Sequence, residues 1–310
     1  MSFLNALPGA VAEGLIWGLM AIGVYISYKI LDIADLTVDG SICTGACTCA
    51  MLIGMGVPAW ISVIVAFFAG ALAGTVTGFL HTALGIPSIL AGILTQLMLY
   101  SVNLAILGGR SLVSVDYRTS KLLVHMGDNT MAIVGLGLLI TATIVCLWLF
   151  FYTEIGLTLK STGDNPDMSR AQGVNVKVNK VIGLAISNGI VALSGAMLAQ
   201  YKGSANINDG RGAIVVGLAA IFIGLSVSTK IKPNFVVSLI GVVGGGIVYY
   251  VIYNFVILIG LKTDYLKMLS AIIVVIFLSV PYLKATYFTR QRDLRATDSV
   301  KGHAGGDGNA

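Results

Sequence analysis

Long apolar runs separated by short polar connections dominate the chain, and they recur at the length of a bilayer-crossing helix, about 20 residues. The runs predict nine spans, over 9–31, 40–56, 58–80, 86–107, 131–152, 181–201, 213–228, 234–259 and 265–282. The second and seventh are short. One interruption differs from the rest: residues 153–180, TEIGLTLKSTGDNPDMSRAQGVNVKVNK, carry charge and turn residues between two runs almost free of both. The pattern predicts an all-α polytopic membrane protein. Its transmembrane body covers 1–283 with a cytoplasmic loop at 153–180, and a charged, Gly-rich stretch at 284–310 reads as a disordered cytoplasmic tail.

Composition agrees with lipid rather than water as the solvent. Of 310 residues, 56% are hydrophobic and 11% charged, against about 25% charged in soluble domains. The 38 glycines suit helices that must approach closely where no hydrophobic force draws them together. The net charge of +5 is scattered over loops and tail, with no basic face interleaved with aromatics, so it does not point to nucleic acid. The first basic residue is Lys29, which leaves no positive n-region for a cleavable signal peptide. With 153–180 placed inside and the spans alternating, 12 of the 19 Lys and Arg residues fall inside and 7 outside. That bias predicts an outside N-terminus and an inside C-terminus.

Two segments match at an offset of 170 residues. Asp39-Gly40 aligns with Asp209-Gly210, and Ala50, Ile53 and Gly54 align with Ala220, Ile223 and Gly224. Each copy is a short apolar segment entered through an Asp-Gly turn and followed by a proline, Pro58 or Pro233. Five spans between them make the copies face opposite ways. An inverted repeat with short or broken helices at matching positions is a pointer to a transport pathway. Asp39, followed by Gly40 and Ser41, is also a reasonable helix start whose carboxylate accepts orphan N–H groups. Gln96 and Asn103 lie seven residues apart on one helix face, where they can bond a neighbouring helix or meet solute. The pathway residues expected are therefore Asp39, Gly40, Ser41, Gln96, Asn103, Asp209 and Gly210. Glu13, Lys29 and His81 fall near span ends and read as interfacial.

No phosphate-binding loop, zinc-binding His pair or nucleophile elbow occurs in the chain, and nothing supports chemistry on a bond. Cys43 and Cys47 are one helical turn apart, but with Cys49 and Cys146 they read as packing residues rather than metal ligands. Within the polar interruption, Gly163-Asp164-Asn165-Pro166 is a turn leading into a short helix over 166–172. Asn165 caps it, Pro166 takes the first position, Asp167 complements the dipole and Gly173 ends it. Such a capped helix makes a rigid knob for a soluble partner. Arg170 offers that partner a charged fork, and Met168 and Ala171 offer a small apolar contact.

The segment Gly163-Asp-Asn-Pro-Asp-Met-Ser-Arg-Ala-Gln-Gly-Val-Asn resembles the coupling helix of permease subunits in bacterial ABC importers of the branched-chain amino acid and ribose class. Asp35-Leu-Thr-Val-Asp-Gly-Ser resembles the second-span signature of a subgroup associated with tryptophan, tyrosine and related solutes. The resemblance implies the pore-forming, non-enzymatic permease subunit of an ATP-driven importer in the bacterial inner membrane. Two permease copies would pair, a homodimer being the simplest case. ATP and Mg would be bound by a separate ABC ATPase, and an extracytoplasmic binding protein would deliver the solute. It also implies coupling to the ATPase through Gly163, Asp164, Asn165, Pro166, Met168, Arg170, Ala171 and Gly173. The residues alone leave two other readings open: an ion-coupled secondary transporter, which would need a mid-membrane ion site, and a membrane scaffold without a pathway.

Overall fold

A computed structural model describes residues 3–115, 122–231 and 234–258, together with positions 268, 271, 272, 275 and 279. The chain begins with α1 (Phe3–Tyr25), which runs on into a π-helical turn (Ile26–Ile30). Asp32 stops it in the left-handed region at φ 56°, a conformation that Asp tolerates better than most residues. Residues 33–35 are irregular and 36–37 form a turn, and α2 (Val38–Gly54) follows. Pro58 and Pro87 then stand immediately before α3 (Ala59–Thr82) and α4 (Ser88–Ile106). A short strand, β1 (Leu112–Ser114), leads towards α5 (Asn129–Phe151), which Asp128 caps by accepting the Met131 N–H at 3.2 Å.

The polar interruption is more ordered than a loop. It holds α6 (Glu154–Asp164), a helix the sequence reading did not anticipate, and α7 (Pro166–Ala171), the expected one. The next span, α8 (Val176–Lys202), begins within the same stretch, capped by Asn175, and ends at the left-handed Gly203. Strand β2 (Ser204–Asn206) pairs antiparallel with β1, and α9 (Ala213–Ile231) and α10 (Phe235–Leu258) complete the described fold.

Six described helices are long and apolar enough to cross a membrane: α1, α3, α4, α5, α8 and α10. The two expected to be short, α2 and α9, are short. The expected ninth span and the tail at 284–310 lie outside the described residues, apart from the isolated positions, as does Pro233.

The helix directions follow from cross-contacts. Ser187 and Ser194 of α8 donate to the carbonyls of Gly23 and Ile16, at 2.8 and 2.6 Å, so α1 runs antiparallel to α8. On α2, Ser41 meets Asn188 and Cys49 meets Gln200, so α2 runs parallel to α8. Along α8, 72% of the apolar stretch is enclosed, and along α1, 78%, against 22% for α5. These two helices form the interior, while α4 and α5 present broad apolar faces suited to lipid.

Small residues make the tightest seams. Gly70 and Gly74 of α3 lie against the backbone carbonyls of Asn188 and Leu184 on α8, leaving no room for a methyl group. Gly45 of α2 and Gly195 of α8 do the same between α2 and α8.

Candidate functional site

The first turn of α2 lies beside Asn188, close to the midpoint of α8, because Ser41 donates to Asn188 Oδ1 at 2.6 Å. The chain therefore passes from Asp32 to Thr37 as irregular backbone inside the body before α2 begins. Its freed polar groups are satisfied by protein. Buried Asp35 accepts the Thr37 N–H at 2.9 Å and Asn188 Nδ2 at 2.6 Å, and the Thr37 and Thr77 hydroxyls share a bond of 2.7 Å. Irregular backbone at membrane depth requires such protein partners.

Helix α9 is also entered through irregular backbone. After β2 the chain passes through turns at 207–212 before α9 starts, so the starts of α2 and α9 meet. Asp39 joins them: its carboxylate accepts the N–H groups of Gly212 at 2.8 Å and Ile214 at 2.9 Å. This corrects the expectation that Asp39 caps its own helix; it caps the start of α9. Nor is Asp39-Gly40 a turn, since both residues lie in the first turn of α2. A carboxylate at the positive end of a helix gains from the dipole as well as from the bonds. Gly210 packs against the Asp39 carbonyl and donates its N–H to Cys43 Sγ at 3.1 Å, and the Cys43 thiol donates to the Ile207 carbonyl at 3.3 Å. Cys43 is therefore a tie across the junction, beyond the packing role expected.

A cavity of about 290 Å³ opens at this junction, and four of the expected pathway residues line it: Asp39, Gly40, Gln96 and Asn103. Tyr100 and Arg211 line it too, and the sequence reading missed both in this role. Arg211 directly follows Asp209-Gly210, and Tyr100 is one helical turn from Gln96, so the signals were present but ambiguous. Asn103 is 1% exposed. Its Nδ2 donates to the Gly40 carbonyl at 3.4 Å, which fixes the amide orientation, and its Oδ1 has no partner. The other expected residues stand apart. Ser41 is turned to Asn188, and Asp209 accepts the Asn206 N–H at 3.3 Å and pairs with Lys202 at 3.8 Å. Gly210 supports the junction from behind.

At the end of the molecule reached by the π turn, α6 and α7 form the knob. Asn165 accepts the Met168 N–H at 3.0 Å, and Pro166 takes the first position of α7. The far end closes with paired bonds, Val174 N–H to the Ser169 carbonyl and Gly173 N–H to the Arg170 carbonyl, each 3.0 Å. Gly173 sits there at φ 83°, the arrangement that satisfies a helix's last carbonyls. Met168, Arg170 and Ala171 are exposed, as are Asp164, Asn165 and Pro166. Arg170 leans on Asp167 at 3.5 Å, an exposed pair. Ser169 is buried against Ser161. The knob is anchored to the body by Gly163, which packs on the Ile30 carbonyl, and by Asn179, which donates to the Thr162 hydroxyl at 3.0 Å.

Comparison with known proteins adds an independent line. The family model described as branched-chain amino acid transport system / permease component matches residues 9–278. A tyrosine transport system permease protein of Clostridioides difficile is 34% identical over 278 residues, covering 89% of this chain and 91% of that protein. An uncharacterized protein of Rickettsia prowazekii is also 34% identical, covering 89% of this chain and 98% of its own length. The autoinducer 2 import system permease protein LsrC of Escherichia coli is 28% identical over 180 residues, 57% of this chain and 52% of that protein. No solved structure matches the chain.

Proposed function

Because the chain belongs to the permease family of branched-chain amino acid transport systems, we propose that it forms the translocation pathway of an ATP-driven importer for an amino acid. It is a multi-pass inner-membrane permease subunit. The finer reading adds a second permease copy, an ABC ATPase that docks on the knob and itself binds ATP and Mg, and an extracytoplasmic protein that hands over the solute. The similarity to a tyrosine transport permease favours an aromatic or related amino acid.

One observation carries the pathway reading: two short helices start at one point inside the body and run apart, joined by Asp39. That arrangement is what an inverted pair of broken crossings would produce, and it supports nine spans with matched halves around Asp39-Gly40 and Asp209-Gly210. The knob supports ATPase coupling, since α6 and α7 are capped at their ends, exposed, and anchored to α1 and α8. Together these support an inside location for 153–180.

The test is uptake into proteoliposomes. The full chain with its ATPase and binding protein should accumulate amino acid only when ATP is supplied. The chain alone should accumulate nothing under an imposed proton or sodium gradient. Gradient-driven accumulation by the chain alone would establish the secondary-transporter reading instead.

A further inference from the structure

The junction cavity carries charge and polarity of a particular kind. Arg211 is exposed at its edge and makes no ion pair among the described residues. Opposite in sign, Asp39 accepts the Gly212 and Ile214 N–H groups, one on each carboxylate oxygen, with the Ala213 N–H also directed at it, and a carboxylate's four lone-pair sites leave acceptor capacity beyond these. Asn103 adds a buried acceptor, Oδ1, that nothing among the described residues satisfies. A buried acceptor without a partner is costly, so the site is incomplete as the described residues build it. Apolar wall comes from Leu97 and Ile207, with the Tyr100 ring beside them.

We propose that this cavity is a binding site for the head group of a zwitterionic amino acid, an inference that rests on the amino-acid permease reading above. Arg211 forks the α-carboxylate. The α-ammonium donates to Asn103 Oδ1 and to the free lone pairs of Asp39. The side chain lies along Leu97, Ile207 and Tyr100. Other occupants fit less well. A simple anion would meet Asp39 and the Asn103 oxygen, and a simple cation would meet Arg211 and the positive start of α9. An acyl chain would leave Asn103 Oδ1 unsatisfied. Only a ligand with both charges answers all three groups. The volume, about 290 Å³, lies at the small end of ligand sites, about 300–1,000 Å³, the scale of one amino acid rather than a peptide. The permease would then read the solute after the binding protein has released it.

The experiment is equilibrium binding to the full chain, assembled with its ATPase in lipid nanodiscs without binding protein. Labelled L-tyrosine is the probe. Tyramine, which lacks the carboxylate, and 3-(4-hydroxyphenyl)propionate, which lacks the ammonium, are the comparison ligands. Saturable L-tyrosine binding is expected, with each comparison ligand at least tenfold weaker. Arg211→Gln should weaken L-tyrosine at least tenfold and leave tyramine unchanged. Asn103→Leu should weaken L-tyrosine and tyramine and leave the propionate unchanged. That crossed pattern cannot come from misfolding, which would weaken all three. Equal binding of the three ligands, or no saturable L-tyrosine binding by a preparation that carries out ATP-driven amino-acid uptake, overturns the site while leaving the permease reading intact. Absence of amino-acid uptake by a complete, ATP-hydrolysing complex counts instead against the permease reading.

Discussion

The junction of α2 with α9 and the knob of α6 and α7 are both helix ends satisfied by side chains, yet they are assembled in opposite ways. In the knob every cap is local: Asn165 reaches three residues ahead to Met168, and Thr153 reaches Gly156. At the junction the cap comes from far away in the chain, with Asp39 bonding Gly212 and Ile214, 173 and 175 residues on. Local caps let a segment keep its shape while moving as a unit. A long-range cap makes two crossings depend on each other. Under the proposed function, the difference suits one region to docking and the other to a pathway.

Substitutions that separate the two regions follow in order of effect. The largest concerns the seam beside the junction. Gly74→Leu drives a side chain into the Leu184 carbonyl and the Asn188 side chain. Overpacking a close helix seam leaves α3 no position against α8. The full chain should be lost from the membrane or elute as aggregate in detergent. Gly137→Leu on α5, where nothing lies within 4 Å of the added carbon, should elute normally. Equal elution of both variants would break the view that α3–α8 contact holds the junction.

Next in size is Asp39→Leu, which removes both acceptors from the start of α9. Hydrogen bonds to a charged acceptor contribute about 1.5–3 kcal/mol each, and the half-buried Ile214 N–H would lose its partner. Amino-acid uptake at equal membrane abundance should fall at least tenfold. Glu13→Gln should change it less than twofold. Similar uptake in the two variants would reduce Asp39 to a dispensable cap.

The smallest effect lies in the knob. Asn165→Ala removes one N-cap, worth about 1 kcal/mol. Hydrogen exchange should speed up at the first amides of α7, Met168 above all, and leave α8 and α2 unchanged. Exchange that spreads into α2 would mean the two regions are not separable.

How far the sequence disclosed each region follows from the same contrast. The spans were legible because lipid demands about 20 apolar residues per crossing, and α7 was legible because its cap, proline and glycine sit within eleven residues. Helix α6 was missed because charged Glu154 and Lys160 and small Gly156 disguise a helix that buries Leu159 and Thr162. Asp39 was noticed, but its partner was assigned to the wrong helix, since nothing local says that a carboxylate at 39 will meet N–H groups at 212 and 214. The Asp35, Asn188 and Ser41 network was invisible for the same reason: its members become neighbours only when α2 and α8 pack. Of the expected pathway residues, those on the faces shared by α2 and α4 converge, whereas Ser41 and Asp209 are drawn to protein partners that only the fold supplies.

If, as proposed, the knob transmits the partner ATPase's motion while the junction conducts solute, the exposed Ala171 is the position whose change should uncouple the two. Ala171→Trp should overfill the partner's cleft and leave the membrane body intact, because α7 packs on α6 through buried Ser169 while Ala171 is exposed. The measurement is ATP hydrolysis by the assembled complex in nanodiscs, with and without binding protein and amino acid. The account predicts that the variant folds, retains L-tyrosine binding at the junction, and loses at least tenfold of the stimulated hydrolysis. Assembly with normal solute-stimulated hydrolysis and uptake would contradict it and move the coupling site elsewhere on the molecule.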